Sequence, residues 1–264
     1  LLVGRCLTGV VRARLKRVST SASQRKHRGY TKWLIGKMDR VGATSARTAS
    51  YLERDCTVIL HGIDTPTNIK HGNTLSRPLR DYTNKERVNV IVTNPPFGGM
   101  EEDGIENNFP ANFRTRETAD LFMALVIKLL KNHGRAAVVL PDGFLFGEGM
   151  KTRLKQELLE KCNLHTIVRL PNGVFAPYTG IKTNILFFTK MPESEQPGTK
   201  HVWYYEHPYP KGVVNYNKTK PMRYEEFETE CQWWGKEENG FKAREQTEQA
   251  WKVSIDDIIA RNYN

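Results

Sequence analysis

The sequence contains no Cys-x-x-Cys pair and no long apolar run. Its four cysteines, Cys6, Cys56, Cys162 and Cys231, are widely scattered, and its seven histidines do not gather around them. That spacing argues against a zinc site or a disulfide framework and fits free thiols in a reducing cytoplasm. A membrane-spanning helix needs about 18 or more consecutive apolar residues, and the chain has no such stretch. No internal repeat is visible. Acidic residues are scarce at one end only. Residues 1–55 hold thirteen Lys/Arg against three Asp/Glu, whereas the remaining 209 residues hold twenty-seven against twenty-six. The net charge of +11 therefore describes a basic head on a nearly neutral body.

Residues 1–55 also lack a sustained helical or alternating apolar period. Three readings fit this segment: a disordered basic arm for nucleic acid, an organelle transit peptide, or sequence that is out of frame. The opening Leu-Leu and the abrupt change near Cys56 favour a fragment whose start is out of frame or divergent.

From Cys56 onward the pattern becomes regular. "CTVILHG" is a short apolar run, and "NIKHGNTL" reads as a short strand with a turn at Gly72-Asn73. "RVNVIVT" (87–93) is almost continuously apolar and β-branched, as in a strand buried on both faces. A polar, Gly/Asn-rich loop follows. "TADLFMALVIKLLKNHG" carries helical spacing, with Thr118 as N-cap and Gly134 as stop. "RAAVVLP" (135–141) is a second strand, and "MKTRLKQELLEKCN" is a helix with Leu154, Leu158 and Leu159 on one side. "LHTIVRLP" (164–171) and "TNILFFTK" (183–190) are two more strands with no helix between them. This order predicts an α/β domain with a mostly parallel sheet and an antiparallel edge strand. Residues 56–190 are thus read as a core, and residues 191–264, aromatic and Pro-rich, as an extension for subunit contacts. Within that extension, "QAWKVSIDDIIARNYN" contains a short helix started by Ser254 and Asp256.

The stretch "VIVTNPPFGGM" (90–100) carries the chemistry. In open parallel sheets ligands bind beyond the carboxyl ends of strands, where Asn94 would sit. Two successive prolines stiffen the loop and remove two backbone donors. Asn94 adds a side-chain carbonyl acceptor, and Phe97 a flat apolar face. Acceptors beside a stacking surface suit a planar group bearing an amine, such as a nucleobase. The competing reading of the same residues is a strand-ending turn.

Asn94-Pro95-Pro96-Phe97 resembles the (Asp/Asn/Ser)-Pro-Pro-(Tyr/Phe/Trp) signature of amino-group DNA methyltransferases. From about Thr57 to Asn264, the stretches "NPPFGGMEEDGIENNFP", "ETADLFM", "GRAAVVLPDG", "LHTIVRLPNGVFAPYTGIKTNILFFTK" and "AWKVSIDDIIARNYN" resemble the methylation (M) subunit of type I restriction–modification systems. The resemblance implies a Rossmann-like methyltransferase fold, N6-adenine methylation of DNA and S-adenosylmethionine as cofactor. It also implies a specificity (S) subunit and a restriction (R) subunit as partners, with a second M subunit as a further candidate. It gives Asn94, Pro95, Pro96 and Phe97 the catalytic position. Phe175 is the candidate second wall for a flipped base, and Asn73 the candidate contact to the cofactor adenine. Asp142 is set aside as a turn residue. The family's Gly-rich cofactor loop and its ribose-binding acid are not found in residues 1–55, so the first strands are expected to be incomplete. Two alternatives stay open: a non-catalytic fragment that binds DNA or a specificity subunit, and methylation of RNA or of a protein glutamine amide.

Overall fold

A computed structural model describes residues 73–176 and 178–264. The basic segment 1–55, the run "CTVILHG" and the position of the expected cofactor loop lie outside the described residues. The described residues divide into two compact units, 73–136 and 137–264.

In the first unit, 3-10 turns at Thr74–Ser76, Leu79–Asp81 and Asn84–Glu86 lead into strand β1, Val88–Thr93. The long polar loop after β1 contains two further 3-10 turns, Ile105–Asn108 and Ala111–Phe113. Helix α1, Thr118–Leu129, is buried at every position from Thr118 to Ile127, so it is a core helix and not a surface one. Its N-cap is Glu117, whereas Thr118, the expected cap, is the first helical residue. The helix also stops earlier than the periodicity predicts. Leu130 already begins strand β2, Leu130–Pro141, which passes through His133 at φ 60° and is β1's neighbour in the sheet. Gly134 explains the switch. A Cβ there would meet Lys131 O at 2.8 Å and Val88 O at 3.1 Å, so backbone packs on backbone where a helix was expected to end.

In the second unit, β2 is followed by α2 (Asp142–Phe146), α3 (Met150–Lys161), β3 (Cys162–Arg169) and β4 (Thr183–Lys190). Then come β5 (His201–Glu206), α4 (Glu228–Trp233), β6 (Ala250–Ser254) and α5 (Ile255–Ala260). The strands lie in the order β2-β4-β3-β5-β6. β3 pairs antiparallel with β4, setting Ile167 opposite Leu186, and parallel with β5, setting Ile167 beside Tyr204. β6 closes the edge antiparallel to β5, with Val202 opposite Val253. The antiparallel strand expected at an edge, β4, is therefore internal, and the antiparallel edge strand is β6. The burial of β4 residues of both parities, including Thr183, Asn184, Leu186 and Phe188, fits its inner place. Both β5 and β6 come from residues 191–264, so the extension itself supplies strands to the sheet.

Leu154, Leu158 and Leu159 of α3 are buried as the spacing predicts, and the helix packs on β3. Ser254 caps α5, its Oγ accepting from Asp257 N at 3.1 Å. Lys155, 5% exposed, donates to Leu145 O at 2.6 Å, Gly147 O at 3.0 Å and Asn264 Oδ1 at 2.9 Å. That satisfies an ammonium whose pKa burial lowers, and it fastens the chain end to α3. Arg244 is 6% exposed and forms no ion pair among the described residues. Its guanidinium lies 3.8 Å from the Phe241 ring centroid, 4.4 Å from Trp233 and 5.0 Å from Trp234, and donates to Trp234 O and Thr166 Oγ1, both at 2.7 Å.

Candidate active site

β1 ends at Thr93, and Asn94-Pro95-Pro96-Phe97 follows at its carboxyl end, as the sequence predicts. Pro95 is buried, Pro96 is exposed, and Asn94 and Phe97 are half-buried. Asn94 Oδ1 is shielded from solvent and accepts no hydrogen bond. A shielded carbonyl oxygen without a donor is uncommon, because leaving it unpaired costs about 1–3 kcal/mol.

The far end of this loop is tied to α1. Gly98 turns at φ +63°, and Gly99 O accepts from Thr118 N at 3.0 Å. A Cβ on Gly99 would come within 2.9 Å of Thr118 Oγ1, so the close approach requires glycine. Glu101 then joins two elements with one carboxylate. Thr118 Oγ1 donates to its Oε1 at 2.7 Å, and Asn73 Nδ2 donates to its Oε2 at 2.9 Å. Arg116 reinforces the junction by donating to Glu101 O from Nε at 3.1 Å and from Nη2 at 3.0 Å, while its Nη1 pairs with Asp103 at 2.7 Å. Neither Glu101 nor Arg116 stood out in the sequence. The only local signal is an acid shortly after the glycine pair.

Asn73 is the N-cap of the turn Thr74–Ser76. Its Oδ1 accepts from Leu75 N at 2.9 Å while its Nδ2 holds Glu101. One amide hydrogen and one oxygen lone pair remain. The strand expected over "NIKHGNTL" is a capped 3-10 turn across its described residues.

Phe175 lies in the second unit, in the loop between β3 and β4, and is 4% exposed. Its carbonyl accepts from Tyr178 N at 2.9 Å and Thr179 N at 3.3 Å. Asp142, set aside as a turn residue, orders the strand ends of this unit. It accepts from Arg169 Nη2 at 2.7 Å and from Asn184 Nδ2 at 2.6 Å, and its own N–H donates to Lys182 O at 2.9 Å. Among the described residues, no group of three or more His, Cys, Asp or Glu side chains is placed to hold a metal ion.

A family model described as N-6 DNA Methylase matches residues 35–264. The chain belongs to the N-6 DNA methylase family. It is 67% identical over 207 residues to the type I restriction enzyme EcoEI methylase subunit of Escherichia coli, a match covering 78% of this chain and 41% of that protein. The chain thus spans less than half the length of this relative. In structure it is similar to the modification subunit of a type I restriction enzyme from Vibrio vulnificus, with a TM-score of 0.74 and 41% identity over 92% of this chain and 47% of that one. A separate, shorter match is to the lipopolysaccharide core biosynthesis mannosyltransferase LpsB of Rhizobium meliloti. It is 59% identical over 59 residues, which cover 22% of this chain and 17% of that protein. The unpaired Asn94 oxygen stands at the carboxyl end of β1.

Proposed function

We propose that this chain carries the target-base site of a DNA adenine-N6 methyltransferase, the modification subunit of a type I restriction–modification complex. The observation that carries the reading is the shielded, unpaired Oδ1 of Asn94 at the carboxyl end of β1. An adenine amine is a poor nucleophile because its lone pair is delocalised into the ring. Asn94 Oδ1 and the Pro95 carbonyl would accept its two hydrogens as the nitrogen becomes tetrahedral. Acceptance strengthens toward the transition state, so it lowers the barrier and not only the binding energy. The proline pair holds the acceptors in place before the base arrives.

The base must leave the duplex to present its amine. Phe97, half-buried beside Asn94, is assigned to one face of it. S-adenosylmethionine, when bound, supplies the methyl group. Among the described residues Asn73 is the candidate for its adenine edge, through the amide hydrogen and lone pair it has to spare. Its larger part is positional, since it also secures Glu101. DNA, a specificity subunit and a restriction subunit are the partners of this reading, and the relative's designation as a subunit of a type I restriction enzyme supports it.

The test is methyl transfer from labelled S-adenosylmethionine to DNA, with and without a type I specificity subunit, by the parent and by Asn94→Ala. We expect transfer to depend on the specificity subunit and to fall by about 100-fold or more in the variant. Equal transfer by parent and variant removes Asn94 from the chemistry.

A further inference from the structure

Residues 207–223 contain four cations, Lys211, Lys218, Lys220 and Arg223, and no acid. The 209 residues after the basic head carry only one net positive charge, so these four are a local concentration and not part of a general excess. All four are exposed, and none forms an ion pair among the described residues.

The segment is nevertheless held in place. Tyr216, 2% exposed, is its anchor, with its hydroxyl donating to Glu226 and its ring 5.4 Å from that of Tyr209. The turn that carries Lys218 and Lys220 is organised by Asn217. Its Oδ1 accepts from Thr219 N and Lys220 N, both at 2.9 Å, and from Thr219 Oγ1 at 2.7 Å. The acids that follow are partly drawn inward, Glu226 to Tyr216 and Glu230 to the buried His207.

This anchored, basic segment is laid on the loop that carries Phe175. Tyr209 Oη donates to Asn172 O at 3.0 Å. A Cβ on Gly173, which sits at φ +79°, would come within 2.3 Å of Tyr216 O and 2.4 Å of Asn215 Oδ1. The two loops therefore touch backbone to backbone, two residues before Phe175. Asn172 and Tyr209 also line an open cleft of about 370 Å³, together with Lys182 and the acids Glu206 and Glu248.

We propose that residues 207–223 form a contact for the DNA phosphate backbone. The proposal extends the methyltransferase reading and rests on it. Unpaired lysines on an ordered turn suit phosphates, which fix register without reading sequence.

The test is binding of the full chain to a fluorescein-labelled DNA duplex over a series of salt concentrations. In one variant Lys211, Lys218, Lys220 and Arg223 are replaced by Gln. In a charge-matched control the exposed Lys85, Lys200, Lys236 and Lys242 are replaced by Gln. Each phosphate contact contributes about 0.9 to the slope of log K against log salt. We expect the first variant to lose about 3.6 from that slope and the control less than about 1. Lys218→Gln with Lys220→Gln, on a turn with no buried side chain, should lose about half of the full effect. Equal losses in the two four-fold variants, or no salt-dependent binding by the parent, overturn the proposal. Failure of the methyltransferase reading is seen separately, as unchanged methyl transfer by Asn94→Ala.

Discussion

Asn94 offers a test in which stability and activity move in opposite directions. Its Oδ1 is shielded and without a donor in the free protein, a state that costs about 1–3 kcal/mol. Asn94→Ala removes that oxygen, and it does so at a half-buried position where truncation leaves no large cavity. The variant should therefore gain about 1 kcal/mol in stability, equivalent to a Tm rise of about 2–4 °C. The same oxygen is assigned to stabilise a developing charge, a role whose loss costs about 3–4 kcal/mol in barrier height. Urea denaturation and methyl transfer on the same preparations measure both quantities. Loss of more than about 1 kcal/mol of stability in Asn94→Ala would mean that the oxygen is satisfied in the folded protein, and the argument from the unpaired acceptor would fall.

Three further outcomes follow from the geometry. The Arg77 guanidinium, Thr83 N and the Thr83 hydroxyl hold Glu86 down to about 2, so a carboxyl-resolved NMR titration should show its midpoint near 2. The folded value is depressed, so the stability this carboxylate adds is present above the unfolded pKa of about 4.3 and is lost as pH falls toward 2. A midpoint near 4.5 would mean that the Arg77 pair is not formed. Burial pushes the Cys162 thiol up to about 12, whereas Cys231 is exposed. Iodoacetamide at mildly alkaline pH should therefore label Cys231 and spare Cys162 in the folded protein, as read by peptide mass spectrometry. Arg244→Ala removes two hydrogen bonds and three ring contacts and should cost about 3–5 kcal/mol in urea denaturation, while Arg244→Met should cost less because an apolar side chain refills the same aromatic cage. Equal stability of the alanine variant and the parent would refute the anchoring role.

Several elements were legible because their burial pattern is simple. β1, the second half of β2, β3 and β4 are short apolar runs bounded by punctuation, and α3 has one apolar side. What escaped was long-range. Tyr204 and Trp251 stack at 5.8 Å across the β5–β6 pair, but the two residues are far apart in sequence and no local pattern couples them. β4 was readable as a strand, yet its insertion between β2 and β3 depends on partners that its own residues do not name. In the site, the Asn-Pro-Pro-Phe step was visible because prolines and a strand end are local features. Glu101 was not, since its meaning comes from Asn73 and Thr118, 28 and 17 residues away. The role of Asp142 was hidden for the same reason, its partners Arg169 and Asn184 lying on β3 and β4.

The Glu101 junction also bears on which partner must move. The Asn-Pro-Pro-Phe loop is moored at one end by β1 and at the other by Gly99 and Glu101 on the first turn of α1. A segment fixed at both ends and stiffened by two prolines in the middle is a stationary receptacle. In the proposed reaction, the conformational work of presenting the amine would then fall on the nucleic acid, whose base has to travel to a loop that waits in place.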